Sequence, residues 1–200
     1  MLVSFNRRLV ILAMPKCAST ALEKALEGRM DLVLRGHPGI KHMRLRGYQR
    51  FIEPYLASLT DKPFEVISAF REPEDWLHSW WRYRRRDGMR QQENSTKGMK
   101  FNQFAELYAD GGQKPADVGR QGQFISDKNG DVGVDRLFRY DRMEGMVRYV
   151  ADRMDCAISL ERHNVSPPAP WLGSKLTGQQ RAAFRAAFAR DYDIYENIAV

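Results

Sequence analysis

Cysteine is scarce in this chain, with Cys17 and Cys156 as the only two among 200 residues. Two cysteines so far apart exclude a disulfide framework and a cysteine-rich metal cluster. Long apolar runs are missing too, and no stretch approaches the roughly 20 apolar residues of a membrane-spanning helix. The apolar segment Leu9–Met14 is short and lacks a small-residue cleavage site. We therefore expect a cytoplasmic protein in a reducing compartment, without a membrane span.

Negative charge is also in deficit. The chain has 32 Lys and Arg against 25 Asp and Glu, a formal net charge of +7. This balance favours an anionic partner, such as a phosphorylated small molecule, an acidic glycan, a nucleic acid or a lipid head group. No known nucleic-acid-reading motif accompanies the charge, so we expect no specific nucleic-acid binding. Hydrophobic and charged contents of 43% and 28% are ordinary for a globular protein.

The first informative segment is an apolar run, Leu9–Met14, followed by a turn and a short helical pattern. The turn contains Lys16, and the residues after it are small or hydroxylated. They are Cys17, Ala18, Ser19, Thr20 and Ala21. Unpaired N–H groups that open a helix attract anions, and a lysine adds a full positive charge. The segment predicts an anion-binding loop. It differs from the nucleotide triphosphate loop G-x-x-x-x-G-K-[ST], because its lysine precedes the small residues.

A second apolar segment, Phe64–Phe70, leads into Arg71, with Pro73 two residues later and Ser79 eight residues after the arginine. An arginine can bind a phosphate with two parallel hydrogen bonds, and a serine hydroxyl can assist it. Ligands of open α/β sheets bind beyond the carboxyl ends of the strands. We therefore expect the two loops to lie at one edge of a sheet.

Together the two segments resemble the sulfotransferases that use 3′-phosphoadenosine 5′-phosphosulfate (PAPS), in their carbohydrate-type and bacterial branches. The resemblance implies that the first loop, with Lys16, Ser19 and Thr20, holds the 5′-phosphosulfate. It implies that Arg71 and Ser79 hold the 3′-phosphate, and that no metal is needed. Ala18 replaces the family's usual glycine, and although alanine suits a helix it narrows the backbone options.

Shorter stretches extend the resemblance along most of the chain. They are Arg136–Asp141, His163–Ser166 with Asn164 and Ser166, and the terminal Asp191–Tyr195. Golgi members of that family carry a membrane anchor, and we expect none in this protein. The resemblance thus favours a bacterial protein.

Alternation of strand and helix patterns predicts an α/β fold with a doubly wound, mostly parallel sheet and helices on both faces, like the P-loop proteins. We expect one domain over residues 1–200, with a loop-rich insertion at about 87–135 that sets acceptor specificity. Within the insertion, Phe101–Tyr108 predicts a short amphipathic helix. Thr177 and Gln180 predict a capping box at the last helix.

A transferase also needs a general base for its acceptor. His42 and His37 both follow the second predicted strand, Asp31–Arg35. We favour His42 because the pair Lys41-His42 resembles bacterial members of the family, whereas His37 beside Pro38 fits a turn. For either, an ordinary loop histidine remains the alternative. His78 and His163 are weaker candidates.

The segment after Pro73 is rich in tryptophan and arginine. Helical spacing places Trp76, Trp80 and Tyr83 on one face, which we expect to lie in the core. Trp81 lies on another face, where we expect it to contact the adenine or the acceptor. The run Arg82–Arg86 fits either an anionic acceptor or a solvated face.

The sequence favours an enzyme that transfers a sulfuryl group from PAPS to a hydroxyl or amine, with a carbohydrate as one acceptor. One alternative is an inactive module of the same fold that binds a nucleotide or an anionic glycan. A small P-loop kinase is less favoured, because the G-K-[ST] signature is missing.

Overall fold

A computed structural model describes residues 1–89, 93–160 and 176–199. The strands are β1 (Leu2–Ser4), β2 (Leu9–Leu12), β3 (Leu32–Val33), β4 (Glu65–Phe70) and β5 (Arg136–Arg139). The helices are α1 (Ser19–Ala25), α2 (Pro38–Lys41), α3 (Leu45–Gly47), α4 (Glu53–Ala57), α5 (Pro73–Arg84), α6 (Phe101–Ala109), α7 (Gln121–Phe124), α8 (Met143–Met154), α9 (Gly178–Ala187) and α10 (Ala189–Glu196). The α/β class predicted from the sequence is confirmed.

The chain divides into two compact units. The first comprises Met1–Arg71, Gln121–His163 and Asn197–Val200, and it contains the sheet. The second comprises Glu72–Arg120 and Asn164–Glu196. Lys16 and Arg71 both belong to the first unit, whereas Pro73 and Ser79 of the second motif belong to the second unit.

The five strands of the first unit form one mixed sheet in the order β3-β1-β2-β4-β5. β2, β4 and β5 pair in parallel, whereas β1 is antiparallel to both β2 and β3. The prediction of a mostly parallel sheet is therefore only partly right, because β1 was not predicted. Since β3 opposes β1, and β1 opposes β2, β3 runs in the same direction as β2. The carboxyl ends of β2, β3, β4 and β5 consequently share one edge.

The centre of the sheet is apolar on both faces. All four residues of β2 are buried, as are the last five of β4. Their pairing aligns Leu9 with Glu65 and Leu12 with Ser68. Burying a strand on both faces removes the alternation of polar and apolar residues, which is why these segments read as continuous apolar runs. The prediction that both segments form buried strands is confirmed, and the structure adds that the two strands pair with each other.

The second unit is built from helices around an aromatic core. Tyr108 stacks on Phe188 with ring centroids 4.4 Å apart, and Phe184 packs against both. The predicted amphipathic helix is present as α6, and α9 begins with the predicted capping box, in which the Gln180 N–H donates to the Thr177 hydroxyl at 3.2 Å.

Trp81 is buried, so the helical face predicted from the sequence to meet a ligand is wrong. Its side chain is buried, and the indole N–H donates to the Met99 carbonyl at 3.1 Å. Trp80 and Tyr83, which we expected in the core, are only half-buried. The segment around Met99 and Phe101 covers the face that spacing alone assigned to a ligand.

The arginine run on α5 contacts residues of its own unit. Arg84 is buried and binds the Asp117 carboxylate at 2.9 Å, and the Arg85 guanidinium lies over the Trp81 ring at 4.7 Å. The Arg86 guanidinium lies over Tyr83 at 5.0 Å. These contacts favour a structural role over the binding of an acceptor.

Among the described residues, no helix combines the length and the apolar composition needed to cross a bilayer. The predicted motif with His163, Asn164 and Ser166 lies outside the described residues.

Candidate functional site

The first loop leaves β2 and turns sharply at Lys16. Lys16 has a φ of 64° and Ala18 a φ of 56°, so two residues of the loop adopt the left-handed conformation. Such a conformation is uncommon outside glycine because Cβ crowds the backbone. Turns that contain left-handed residues gather backbone N–H groups into a concavity that suits anions. The loop thus has the backbone form of an anion cradle, with Lys16 as its cation.

Ala18 is not helical, contrary to the expectation from the sequence. It is the N-cap residue of α1 and lies in the left-handed region, where its Cβ crowds the backbone and strains it. Glycine would adopt this conformation without cost, and glycine is the residue that the resemblance leads one to expect here. The loop adopts the left-handed conformation here although the residue is alanine.

Arg71 lies directly beside this loop. Its Nη1 donates a hydrogen bond to the Lys16 carbonyl oxygen at 3.0 Å. Its guanidinium also lies over the Tyr140 ring, 4.3 Å from the ring centroid. Arg71 is only 8% exposed, so stacking and hydrogen bonding fix the guanidinium in place. The structure brings Lys16 and Arg71 together, as the shared sheet edge predicts.

Gln121 joins the two loops, and sequence reasoning missed it. Its Nε2 donates to the Arg71 carbonyl at 2.7 Å, and its Oε1 accepts from the Arg71 N–H at 3.0 Å. The Cys17 thiol donates to the same Oε1 at 3.8 Å. Gln121 is fully buried at the start of α7. A glutamine in a polar segment gives no sequence signal for such a bridge, because its role depends on the fold that surrounds it.

A lysine contacts the helical side of the anion loop. Lys41, at the end of α2, donates from Nζ to the Thr20 hydroxyl at 3.0 Å. It also forms an ion pair with Glu23, with Nζ and Oε2 2.9 Å apart. The sequence pair Lys41-His42 indicates a functional segment, but the contact of Lys41 with Thr20 becomes visible only in the fold.

His42 lies at the same edge of the sheet. Its Nδ1 is 2.6 Å from the Ala13 carbonyl, so Nδ1 carries the proton and Nε2 keeps its lone pair. Burial lowers the pKa of His42 below its usual value, the bond to Ala13 opposes this, and the charges of Lys41 and Lys16 lower the pKa further. At neutral pH the imidazole is therefore uncharged and can accept a proton.

His37 has a different environment. It is exposed, and its Nδ1 accepts a hydrogen bond from the Gly39 N–H at 3.1 Å. This bond caps the short helix α2, as expected for a histidine that precedes a proline in a turn. Of the two candidate bases, His42 has the geometry that leaves a ring nitrogen for proton transfer.

The other predicted residues have the following places. Cys17 and Ser19 line a narrow, mostly apolar pocket with Leu22, and Ala21 is buried in α1. Cys17 is buried, which fits a small loop residue rather than a nucleophile.

Two predicted positions belong to the second unit. Ser79 is buried in α5, and its role towards a phosphate stays a prediction. His78 stacks on Phe101 with centroids 3.4 Å apart, which is a packing role.

The first unit thus offers a cradle with two cations, a hydroxyl and a neutral histidine. Among the described residues, no three of His, Cys, Asp and Glu come together as a metal site would require. The described arrangement can bind an anion with Lys16 and Arg71 and can accept a proton at His42.

Compared with models of known protein families, with curated proteins and with solved structures, the chain gives no match.

Proposed function

We propose that this protein is a sulfotransferase that moves a sulfuryl group from PAPS to a hydroxyl or amine acceptor. One observation carries the proposal: the Arg71 guanidinium contacts the Lys16 carbonyl at 3.0 Å, although 54 residues separate them in the chain. A ligand with phosphate groups on two sides of one ribose suits two basic residues that lie on adjoining loops. ATP carries its phosphates in a single chain and does not need the second.

Lys16 would bind the 5′-phosphosulfate, and Arg71 would bind the 3′-phosphate. Arginine suits the second role because its planar guanidinium presents several donors in a fixed arrangement. Of these, Nη1 is engaged with the Lys16 carbonyl, and the stack on Tyr140 fixes the plane. This fit supports PAPS as the co-substrate.

In the reaction the acceptor oxygen or nitrogen attacks sulfur, and the bond between sulfur and the bridging phosphate oxygen breaks. The sulfuryl group joins the acceptor, and adenosine 3′,5′-bisphosphate leaves with the electron pair of the broken bond. By analogy with phosphoryl transfer, catalysis depends on positioning and on stabilising the leaving oxygen. Lys16 is the stabilising cation in this proposal.

The acceptor must lose a proton during the attack. His42 would take this proton at Nε2, because Nδ1 is committed to the Ala13 carbonyl. Its lowered pKa keeps the ring uncharged at neutral pH, as a base requires. We propose His42 as the general base and assign His37 to the turn.

Calorimetry with adenosine 3′,5′-bisphosphate and with ATP–Mg tests the proposal in the wild type and in Arg71→Ala. We expect the wild type to prefer the bisphosphate, and Arg71→Ala to weaken it by about tenfold or more, the loss expected for hydrogen bonds to a charged group. Arg44→Ala is the matched control, since Arg44 is exposed and its removal changes the net charge equally.

The outcomes separate the rival functions. A preference for ATP–Mg would overturn the proposal in favour of a kinase. Tight binding of the bisphosphate without turnover on a panel of hydroxyl and amine acceptors would favour the inactive binding module.

A further inference from the structure

We infer that Lys41 is a positioning residue that turns the Thr20 hydroxyl into a dedicated hydrogen-bond donor for the bound anion. This inference rests on the proposed function and deepens it, because it concerns the loop that would hold the 5′-phosphosulfate. It starts from the bond between Lys41 Nζ and Thr20 Oγ1.

An ammonium group has donors and no acceptor, whereas a threonine hydroxyl has one donor and two acceptor lone pairs. In the bond of 3.0 Å between Lys41 and Thr20, the hydroxyl oxygen must therefore be the acceptor. The Thr20 proton then points away from Lys41. Among the described residues, no acceptor takes this proton. The hydroxyl is left as a donor with one lone pair already engaged.

Glu23 holds Lys41 in this position. The carboxylate lies 2.9 Å from Nζ, and both side chains are 17% exposed. A half-buried pair of this kind has less freedom to exchange with water than a surface ion pair. Because Glu23 is one turn after Thr20 on α1, the same helix carries the hydroxyl and the carboxylate that anchor the lysine.

The arrangement has an electrostatic consequence as well. A hydroxyl that accepts from an ammonium group becomes a stronger donor, because hydrogen bonds in a chain polarise one another. The Lys41 charge would therefore act on the ligand chiefly through Thr20. The Glu23 carboxylate, which is paired with Lys41, offsets the direct attraction between Lys41 and a distant anion.

A double-mutant cycle tests this inference, with adenosine 3′,5′-bisphosphate binding measured by calorimetry. The variants are Lys41→Met, Thr20→Val and the double variant. We expect Lys41→Met to weaken binding by about fivefold when Thr20 is present and by less than about twofold in the Thr20→Val background. Thr20→Ser, which keeps the hydroxyl, should restore the full effect of Lys41→Met.

Lys24→Met is the matched control, because Lys24 is an exposed lysine on the same helix. We expect it to change the affinity by less than about twofold, as for an exposed charge screened by salt. Thermal unfolding of every variant separates a loss of binding from a loss of folding.

Failure of the inference and failure of the proposed function are distinguishable. If the wild type binds the bisphosphate but Lys41→Met has the same effect with and without the Thr20 hydroxyl, only the positioning role is overturned. If the wild type does not bind the bisphosphate, the proposed function is overturned and the inference with it.

Discussion

Left-handed backbone at Ala18 is the most localised strain in the candidate site. The loop needs this conformation to turn from β2 into α1, and an L-residue adopts it at a cost of about 1–2 kcal/mol. Lys16 in the same loop is also left-handed, but Ala18 has only a Cβ to lose, so its substitution by glycine measures its own share of the strain.

We expect Ala18→Gly to stabilise the protein by about 0.5–1 kcal/mol, because the gain in the folded state exceeds the entropy that glycine adds to the unfolded chain. Urea unfolding measures the change. Ala25→Gly, at the last residue of α1, is the control, because Ala25 is helical and glycine relieves no strain there, so we expect no stabilisation. A destabilising Ala18→Gly would contradict the assigned conformation.

His42 makes the stability of the first unit depend on pH. Burial lowers its pKa in the folded protein, so the unfolded chain binds a proton at a higher pH than the folded chain does. The contribution of His42 is fully present above the unfolded value of about 6.5 and is lost as the pH falls towards the folded value.

The difference in unfolding free energy between the wild type and His42→Asn should therefore narrow from pH 7 to pH 5. Asparagine cannot titrate, but its amide can still donate to the Ala13 carbonyl. Urea unfolding at several pH values gives this difference. A gap that stays constant over the range would refute the lowered pKa.

At the scale of elements, α7 holds the end of β4 through Gln121. The side-chain amide satisfies both backbone groups of Arg71, which are buried away from water. Each unsatisfied buried group costs about 1–3 kcal/mol. A short helix of four residues thus determines the backbone from which Arg71 extends.

Gln121→Leu should destabilise the protein by about 2 kcal/mol or more, because leucine removes both hydrogen bonds that the Gln121 amide makes to the buried Arg71 backbone. Gln123→Leu is the control on the same helix, since Gln123 is exposed, and we expect less than about 0.5 kcal/mol there. Chemical unfolding of both variants provides the comparison. Equal effects would show that the Gln121 bridge contributes little.

The elements with strong local patterns could be predicted from the sequence. β2 and β4 lie in mainly apolar segments without a polar alternate face, and α9 has its capping box at Thr177. β1 could not, because three residues carry no readable period, and its antiparallel pairing depends on partners elsewhere in the chain. Trp81 was placed on the wrong face because helical spacing gives the direction of a side chain but not what covers it.

Part of the candidate site, too, could be predicted from the sequence, and part could not. Lys16 and Arg71 lie at one sheet edge because both follow parallel strands, and the alternation of strand and helix patterns predicts parallel strands. The contacts of Lys41 with Thr20 and of Gln121 with Arg71 join residues 21 and 50 positions apart. Pairings of this kind depend on the packed fold, and a single sequence carries no signal for them.

At the scale of the whole molecule, the net charge of +7 should attract an anionic ligand over a distance. Raising the salt from low to moderate concentration shortens the Debye length and weakens that attraction. We expect the affinity for adenosine 3′,5′-bisphosphate to fall by about threefold or more between 0.05 and 0.5 M salt. Calorimetry at both concentrations measures this, and an unchanged affinity would argue against electrostatic binding.

The central claim is that Lys16 and Arg71 bind opposite phosphates of one adenosine ligand. Calorimetry with adenosine 3′,5′-bisphosphate and with adenosine 5′-monophosphate, in the wild type, Lys16→Met and Arg71→Gln, tests it most directly. Glutamine keeps an amide donor for the Lys16 carbonyl but removes the charge. If this claim holds, Arg71→Gln abolishes a preference of about tenfold or more for the bisphosphate, whereas Lys16→Met weakens the binding of both ligands. Equal losses for both ligands in Arg71→Gln, or a wild type that does not distinguish them, would contradict it.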